Sequence, residues 1–133
     1  MKTTLLLALL LTSLSSFALT FEVTELCEDK PHISEEIPVL TLTNVLDFTK
    51  YHLKNLAIPH TFNENGITSI LDTAVGYDSY EFITNNHMRV YGWCYEVNGV
   101  QPSVVASEFI VDPESQDMIR WFYGYAEVVE GTW

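Results

Sequence analysis

Cys27 and Cys94 are the two thiols of this chain, and they allow two kinds of chemistry. A disulfide needs an oxidising compartment and two cysteines that meet in space. A nucleophilic Cys94 with His87 as its base needs a free thiolate in an electropositive pocket, which a chain of formal net charge −12 is poorly equipped to supply. The Cys27–Cys94 bridge is therefore the expectation. Closing so long a loop is worth roughly 4 kcal/mol in the chain-entropy model, often less in practice.

The remaining reactive groups do not assemble into a known pattern. His32, His52, His60 and His87 share no His-x-x-x-His spacing, so no metal site is expected unless three of them converge in space. Asp112 and Asp117 bracket a turn without the alternating oxygen ligands and central glycine of a calcium loop. With eighteen acidic residues, chance carboxylate pairs abound, and none sits in a context that marks glycoside hydrolysis. Phosphate-cradling glycine loops, Gly-x-Ser-x-Gly elbows and His-Glu-x-x-His helices are absent from the sequence. A non-catalytic protein without a cofactor is expected, with a small hydrolase as the least favoured reading.

What remains is binding chemistry. Strand alternation puts Trp93, Tyr95 and Val97 on one face, with Cys94 and Glu96 on the other, and gives Ile119, Trp121 and Tyr123 a shared face. If those faces meet the helix they are core; if either looks outward it is an aromatic platform for a flat ligand or a partner's apolar patch. Asn98-Gly99 first of all suits a two-residue turn, with a ligand contact through Asn98 as the alternative. The stretch from Tyr77 to Arg89, carrying Tyr80, Phe82 and His87, reads as a long irregular segment, either structural or lining a binding edge.

The elements that must hold these residues can be read from period and punctuation. Thr20–Leu26 alternates as a half-buried strand, Cys27–Glu36 reads as a loop, and Ile37–Thr43 returns to strand chemistry with Pro38 pushing it to a sheet edge. At Asn44 the period changes: Asn44 can cap a helix, Asp47 sits where a capping box needs it, and Val45, Leu46, Phe48, Leu53 and Leu56 form an apolar face. That helix, Asn44–Ala57, ends before Pro59. Ile67–Leu71, Val90–Val97, Phe109–Val111 and Met118–Tyr125 follow as strands, and Asn98-Gly99 gives the strongest hairpin signal. Two strands, a helix and then several strands make an α+β fold, one main helix packed on a mixed β-sheet.

The first residues carry an address. Lys2, the apolar run from Leu5, and Ser16-Phe17-Ala18 before a cut read as a secretory signal peptide, residues 1–18. The run is about ten residues, short of the ~20 that span a bilayer. The remainder, Leu19–Trp133, is expected to be a single domain, secreted or periplasmic and not membrane-spanning. Its acidity makes nucleic acid and anionic lipid poor partners.

Four segments in order resemble one known family: Asn44-Val45-Leu46-Asp47-Phe48, Gly66-Ile67-Thr68-Ser69-Ile70, Gly92-Trp93-Cys94-Tyr95-Glu96-Val97-Asn98-Gly99, and Val105-Ala106-Ser107-Glu108-Phe109 followed by Asp117-Met118-Ile119-Arg120-Trp121-Phe122-Tyr123. Together they are similar to the transcobalamin-like C-terminal domain family of exported bacterial proteins. Gln116-Asp117 departs from the family's frequent Gly-Asp, and Cys94 stands where an apolar or aromatic residue is common. The resemblance implies a β-grasp-like fold. The ligand-binding residues expected on this reading are Trp93, Tyr95, Asn98, Trp121, Tyr123, Tyr80 and Arg89, the ligand a small molecule with corrinoid-like compounds among the candidates. A protein-protein interaction or structural role in the cell envelope, through a sheet edge, is the alternative.

Overall fold

A computed structural model describes residues 18–39 and 41–130. The chain runs β1 (Ala18–Thr24), β2 (Ile33–Pro38), β3 (Thr43–Asn44), α1 (Val45–Asn55), β4 (His60–Phe62), β5 (Ile67–Ile70), a 3-10 turn (Gly76–Ser79), β6 (Tyr80–Thr84), β7 (His87–Val97), β8 (Ile110–Val111) and β9 (Met118–Val129). The signal-peptide residues 1–17 lie outside the described residues, and Ala18 opens β1 opposite Pro38. No helix among the described residues is long and apolar enough to cross a membrane.

Five strands form one mixed sheet in the order β2-β1-β9-β7-β6. β1 pairs antiparallel with β2 and parallel with β9, while β9 and β7 run antiparallel over eleven residue pairs, from His87↔Val129 to Val97↔Ile119. The result is an α+β fold with one α-helix among the described residues and a mixed sheet, as the sequence pattern indicates. Two small pairs, β3 with β8 and β4 with β5, lie outside that sheet.

The helix starts and stops where local chemistry demands. Asn44 is extended and its side-chain oxygen accepts from the Asp47 amide at 2.8 Å, while its Nδ2 donates to the Asp47 carboxylate at 3.0 Å, a reciprocal cap for a helix start. At the other end Ala57 takes a positive φ of 55°. Its amide donates to Lys54 and that of Ile58 to Leu53, the paired bonds of a Schellman stop. Pro59 forbids a further turn.

One face of the sheet and the helix share the core. Leu19, Phe21 and Val23 of β1, Ile119 and Trp121 of β9, and Trp93, Tyr95 and Val97 of β7 are buried with Val45, Leu46, Phe48 and Leu53 of α1. Phe21 meets Phe48 edge-on at 5.9 Å. The Trp121 indole donates to the Thr49 hydroxyl at 2.9 Å, so a buried N–H and a buried hydroxyl satisfy each other.

Three expectations need correction. β2 begins at Ile33, inside the segment read as a loop, because Ile33 and Ile37 pair with Val23 and Leu19; an edge strand tolerates Glu35 and Glu36 between them. Asn98-Gly99 does make a tight turn, with φ of 52° and 79°, but its return is the single bridge Val97↔Val100. Alongside β7 that place is taken by β9, and Pro102 follows too soon for a ladder.

The third concerns the cysteines, which are not bonded to each other. Thr24 and Cys94 flank Phe122 from opposite sides, so their Cα atoms stand about two strand spacings, roughly 9.6 Å, apart. Cys27 lies further along the chain in an exposed turn with φ of 62°. A bridge requires Cα atoms within about 7 Å, and β9 intervenes.

Candidate functional site

α1 and β7 contain eleven residues each, but a helix rises 1.5 Å per residue and a strand about 3.4 Å. The helix is therefore about 16 Å long against about 37 Å for the strand. The cover over the β7–β9 ribbon is shared: α1 reaches β9 at Trp121 through Thr49, and β5 with the segments carrying Thr73 and Val104 closes over Trp93 and Tyr95 of β7. The two ends of the ribbon carry different side chains on the same face.

Under the roof the aromatic side chains are closed in. Trp93 and Tyr95 are buried, with the Trp93 indole donating to the Thr73 hydroxyl at 2.7 Å and the Tyr95 hydroxyl to the Val104 carbonyl at 2.7 Å. Burial pushes the Tyr95 phenol above its usual pKa. Their polar tips are spent inside the fold. Trp93, Tyr95 and Trp121, expected as ligand contacts if exposed, are core.

Beyond the roof the same register continues with Tyr123, Tyr91, Tyr125, Arg89, Glu127 and His87. Tyr91 stacks with Tyr123 at 6.0 Å and tilts against Tyr125 at 5.4 Å, while Tyr123 links back to Trp93 at 5.2 Å. Tyr125 is 48% exposed. The row ends in charge: Arg89 lies between Glu127 at 3.0 Å and Glu81 of β6 at 3.6 Å, with its guanidinium 4.6 Å from the Tyr125 ring. Hydrogen bonding to Glu127 holds Arg89 still further above its ordinary pKa. The Tyr91 hydroxyl donates to Glu81 at 2.6 Å, a bond that raises its pKa and keeps the phenol protonated. A tyrosine surface thus ends in a Glu–Arg–Glu row, apolar faces first and a hydrogen-bonding rim after them.

Of the expected ligand residues, Tyr123 and Arg89 fall on this surface. Tyr80 does not. It faces Val90 across the ladder, on the opposite side of the sheet from Arg89, clustered with Tyr77 at 5.5 Å and Phe82 at 6.4 Å. The segment from Tyr77 to Arg89 is the end of a 3-10 turn followed from Tyr80 by a strand hairpin, rather than an irregular loop. Asn98 binds Asp117 through Nδ2 at 2.7 Å and accepts from the Met118 amide at 2.9 Å, clasping the end of β7 to the start of β9. Tyr91 and Tyr125 were missed by the sequence reading, although the odd-numbered alternation that groups Trp93 with Tyr95 reaches both.

A second feature lies at the opposite edge. A groove of about 670 Å³ runs between β2 and α1, walled by Ile37, Pro38, Phe48, Tyr51 and His52. The His52 ring stacks on Phe48 at 6.0 Å. Its Nε2 is buried without a partner. Burial lowers its pKa, with Glu35 pulling the other way, so the imidazole favours the neutral form. Tyr51 and Asn55 follow Phe48 at helical spacing, the signal that reveals a second apolar stripe on α1.

Burial raises the Cys94 thiol pKa, opposite to what a nucleophile needs. Among the described residues one group of ligand atoms converges: Glu25, Glu28 and His32, within 4.8 Å of one another on the open β1–β2 turn. It is an exposed set of three on one short turn. Comparison of the chain with protein-family models, curated proteins and solved structures gives no match.

Proposed function

We propose that this chain is an exported, non-catalytic ligand-binding module, a β-grasp-like domain similar to the transcobalamin-like C-terminal domains, that receives its ligand on the uncovered end of the β7–β9 ribbon. The observation that carries the reading is the tyrosine row of Tyr91, Tyr123 and Tyr125, closed by Arg89 between Glu81 and Glu127. Support for the β-grasp assignment comes from an opening hairpin, one α-helix among the described residues, and a last strand placed parallel beside β1. Export rests on the leader-like first eighteen residues.

A row of half-exposed tyrosines favours a broad, flat face, because aromatic rings gain by stacking while their hydroxyls remain hydrated. The charged row at its end suits amide or hydroxyl groups on the ligand's rim. A corrinoid has both, a flat macrocycle and a periphery of amides; the family resemblance bears on the fold and does not by itself name the ligand. The open platform lacks deep walls, so orientation would be set by the rim contacts.

The test is titration of the purified protein with cobinamide and with cyanocobalamin, followed by absorbance and native mass spectrometry. Binding by the native chain, weakened at least tenfold by Tyr125→Ala and by Arg89→Met in variants that still melt cooperatively, is the expected result. A chain that stays free of both corrinoids removes that ligand class. Unchanged binding by both variants moves the site elsewhere.

A further inference from the structure

The groove between β2 and α1 is independent of the tyrosine ribbon, and we infer that it docks an extended segment of another protein in which Lys or Arg alternates with apolar residues, added as a sixth strand on the open side of β2. β2 is a terminal strand of the sheet, paired on one side to β1. A terminal strand offers main-chain donors and acceptors to an incoming strand, and side-chain pockets beside it give selectivity. Here the pocket adjoins the strand: Ile37 and Pro38 form one wall and Phe48, Tyr51 and His52 the other. Tyr51 is 69% exposed among the described residues, a large and largely apolar surface.

Charge defines the partner. Glu35 and Glu36 lie on β2, Glu22 faces Ser34 across the β1–β2 ladder and hydrogen-bonds it, and Asp47 stands on the groove rim. Near the groove Lys50 is already engaged, 3.5 Å from Asp47 and 4.0 Å from the Phe62 ring. Glu35 and Glu36 therefore flank a docking strand, one on each face of β2, while Asp47 is matched by Lys50, and the two glutamates favour a basic partner. The same charges oppose a second copy, because antiparallel pairing of two β2 strands would set glutamates against glutamates. Alternation fixes the register of chemistry: Ile33, Glu35 and Ile37 share the groove side and Ser34 and Glu36 the other, so apolar side chains of the partner enter beside Ile37 and Phe48 while its basic ones lie on the opposite face beside Glu36.

The probe is a capped seven-residue peptide alternating lysine and valine, titrated into the ¹⁵N-labelled protein and followed by NMR. Amide shifts concentrated in residues 33–39 and 47–55 are expected, together with at least a tenfold loss of affinity for Glu35→Lys combined with Glu36→Lys. N-methylation of alternate peptide amides should abolish binding, since it removes the ladder donors while keeping the charges. Equal binding by the methylated peptide would reduce the contact to charge attraction and overturn strand addition, as would shifts confined to other elements or no binding at millimolar peptide. Sedimentation of the free protein as a dimer that the same double substitution dissolves would assign the groove to a second copy and overturn it as well. Tyr125→Ala should leave peptide binding untouched, which separates this inference from the ribbon reading.

Discussion

Trp121 and Tyr125 stand on the same strand and the same face, yet Trp121 is 2% exposed and Tyr125 48%. Trp121 lies under α1, where its indole meets Thr49 and its ring meets Tyr95 at 5.4 Å. Tyr125 lies past the roof, against Tyr91 and beneath the Arg89 guanidinium. Alternation chooses the face, but the length of the covering element decides whether a residue on that face holds the fold together or meets the solvent. The covered half satisfies its polar tips internally, and the uncovered half presents them.

The largest expected contrast is energetic. Trp121→Ala should lower stability by about 3–5 kcal/mol through the cavity it leaves, whereas Tyr125→Ala should stay within about 1 kcal/mol. Chemical denaturation of the two variants checks this, and comparable losses would erase the division of the ribbon. Thr49→Val, which leaves the Trp121 N–H buried without its acceptor, should cost about 1–3 kcal/mol. That result would locate the rigidity of the covered half in a single polar pair.

The next contrast depends on pH. His52 has a lowered pKa in the fold because of burial, so the unfolded chain binds the proton more tightly. Its contribution to stability is complete above the ordinary histidine value of about 6.5 and is lost as pH falls through the lowered folded value. His52→Phe should flatten the stability profile in that interval; a profile unchanged by the substitution would place the acid sensitivity elsewhere. The smallest expected effect concerns the thiols. Because Cys27 and Cys94 are unbonded, a reductant should leave the melting temperature unchanged, and both thiols should react in denaturant without it. A bridge would instead lower stability on reduction by up to about 4 kcal/mol.

Much of this fold was legible because its signals are local. The Asn44–Asp47 cap, the Pro59 stop and the alternation through Trp93 and Trp121 each act within a few residues, and each places its element to within four positions. Glu35 and Glu36 misled for a non-local reason, since a charged segment becomes a strand when it has a partner on one side and water on the other. The disulfide was misjudged in the same way: compartment and cysteine count say nothing of the strands that separate two thiols. The candidate surface was half visible. Tyr123 and Arg89 were named, but Tyr91 and Tyr125 depend on how far the cover supplied by α1, β5 and the segments carrying Thr73 and Val104 extends along the ribbon. The groove beside β2 depends on the packing of two elements that no sequence period joins.

The division of the ribbon is tested most directly by hydroxyl-radical footprinting read out residue by residue in the native protein. Tyr91 and Tyr125 should be oxidised readily while Trp93, Tyr95 and Trp121 are protected. Equal modification of the two groups, or protection of the tyrosines with oxidation of the tryptophans, would contradict the division of the ribbon into a covered half and an open half that carries the proposed binding surface.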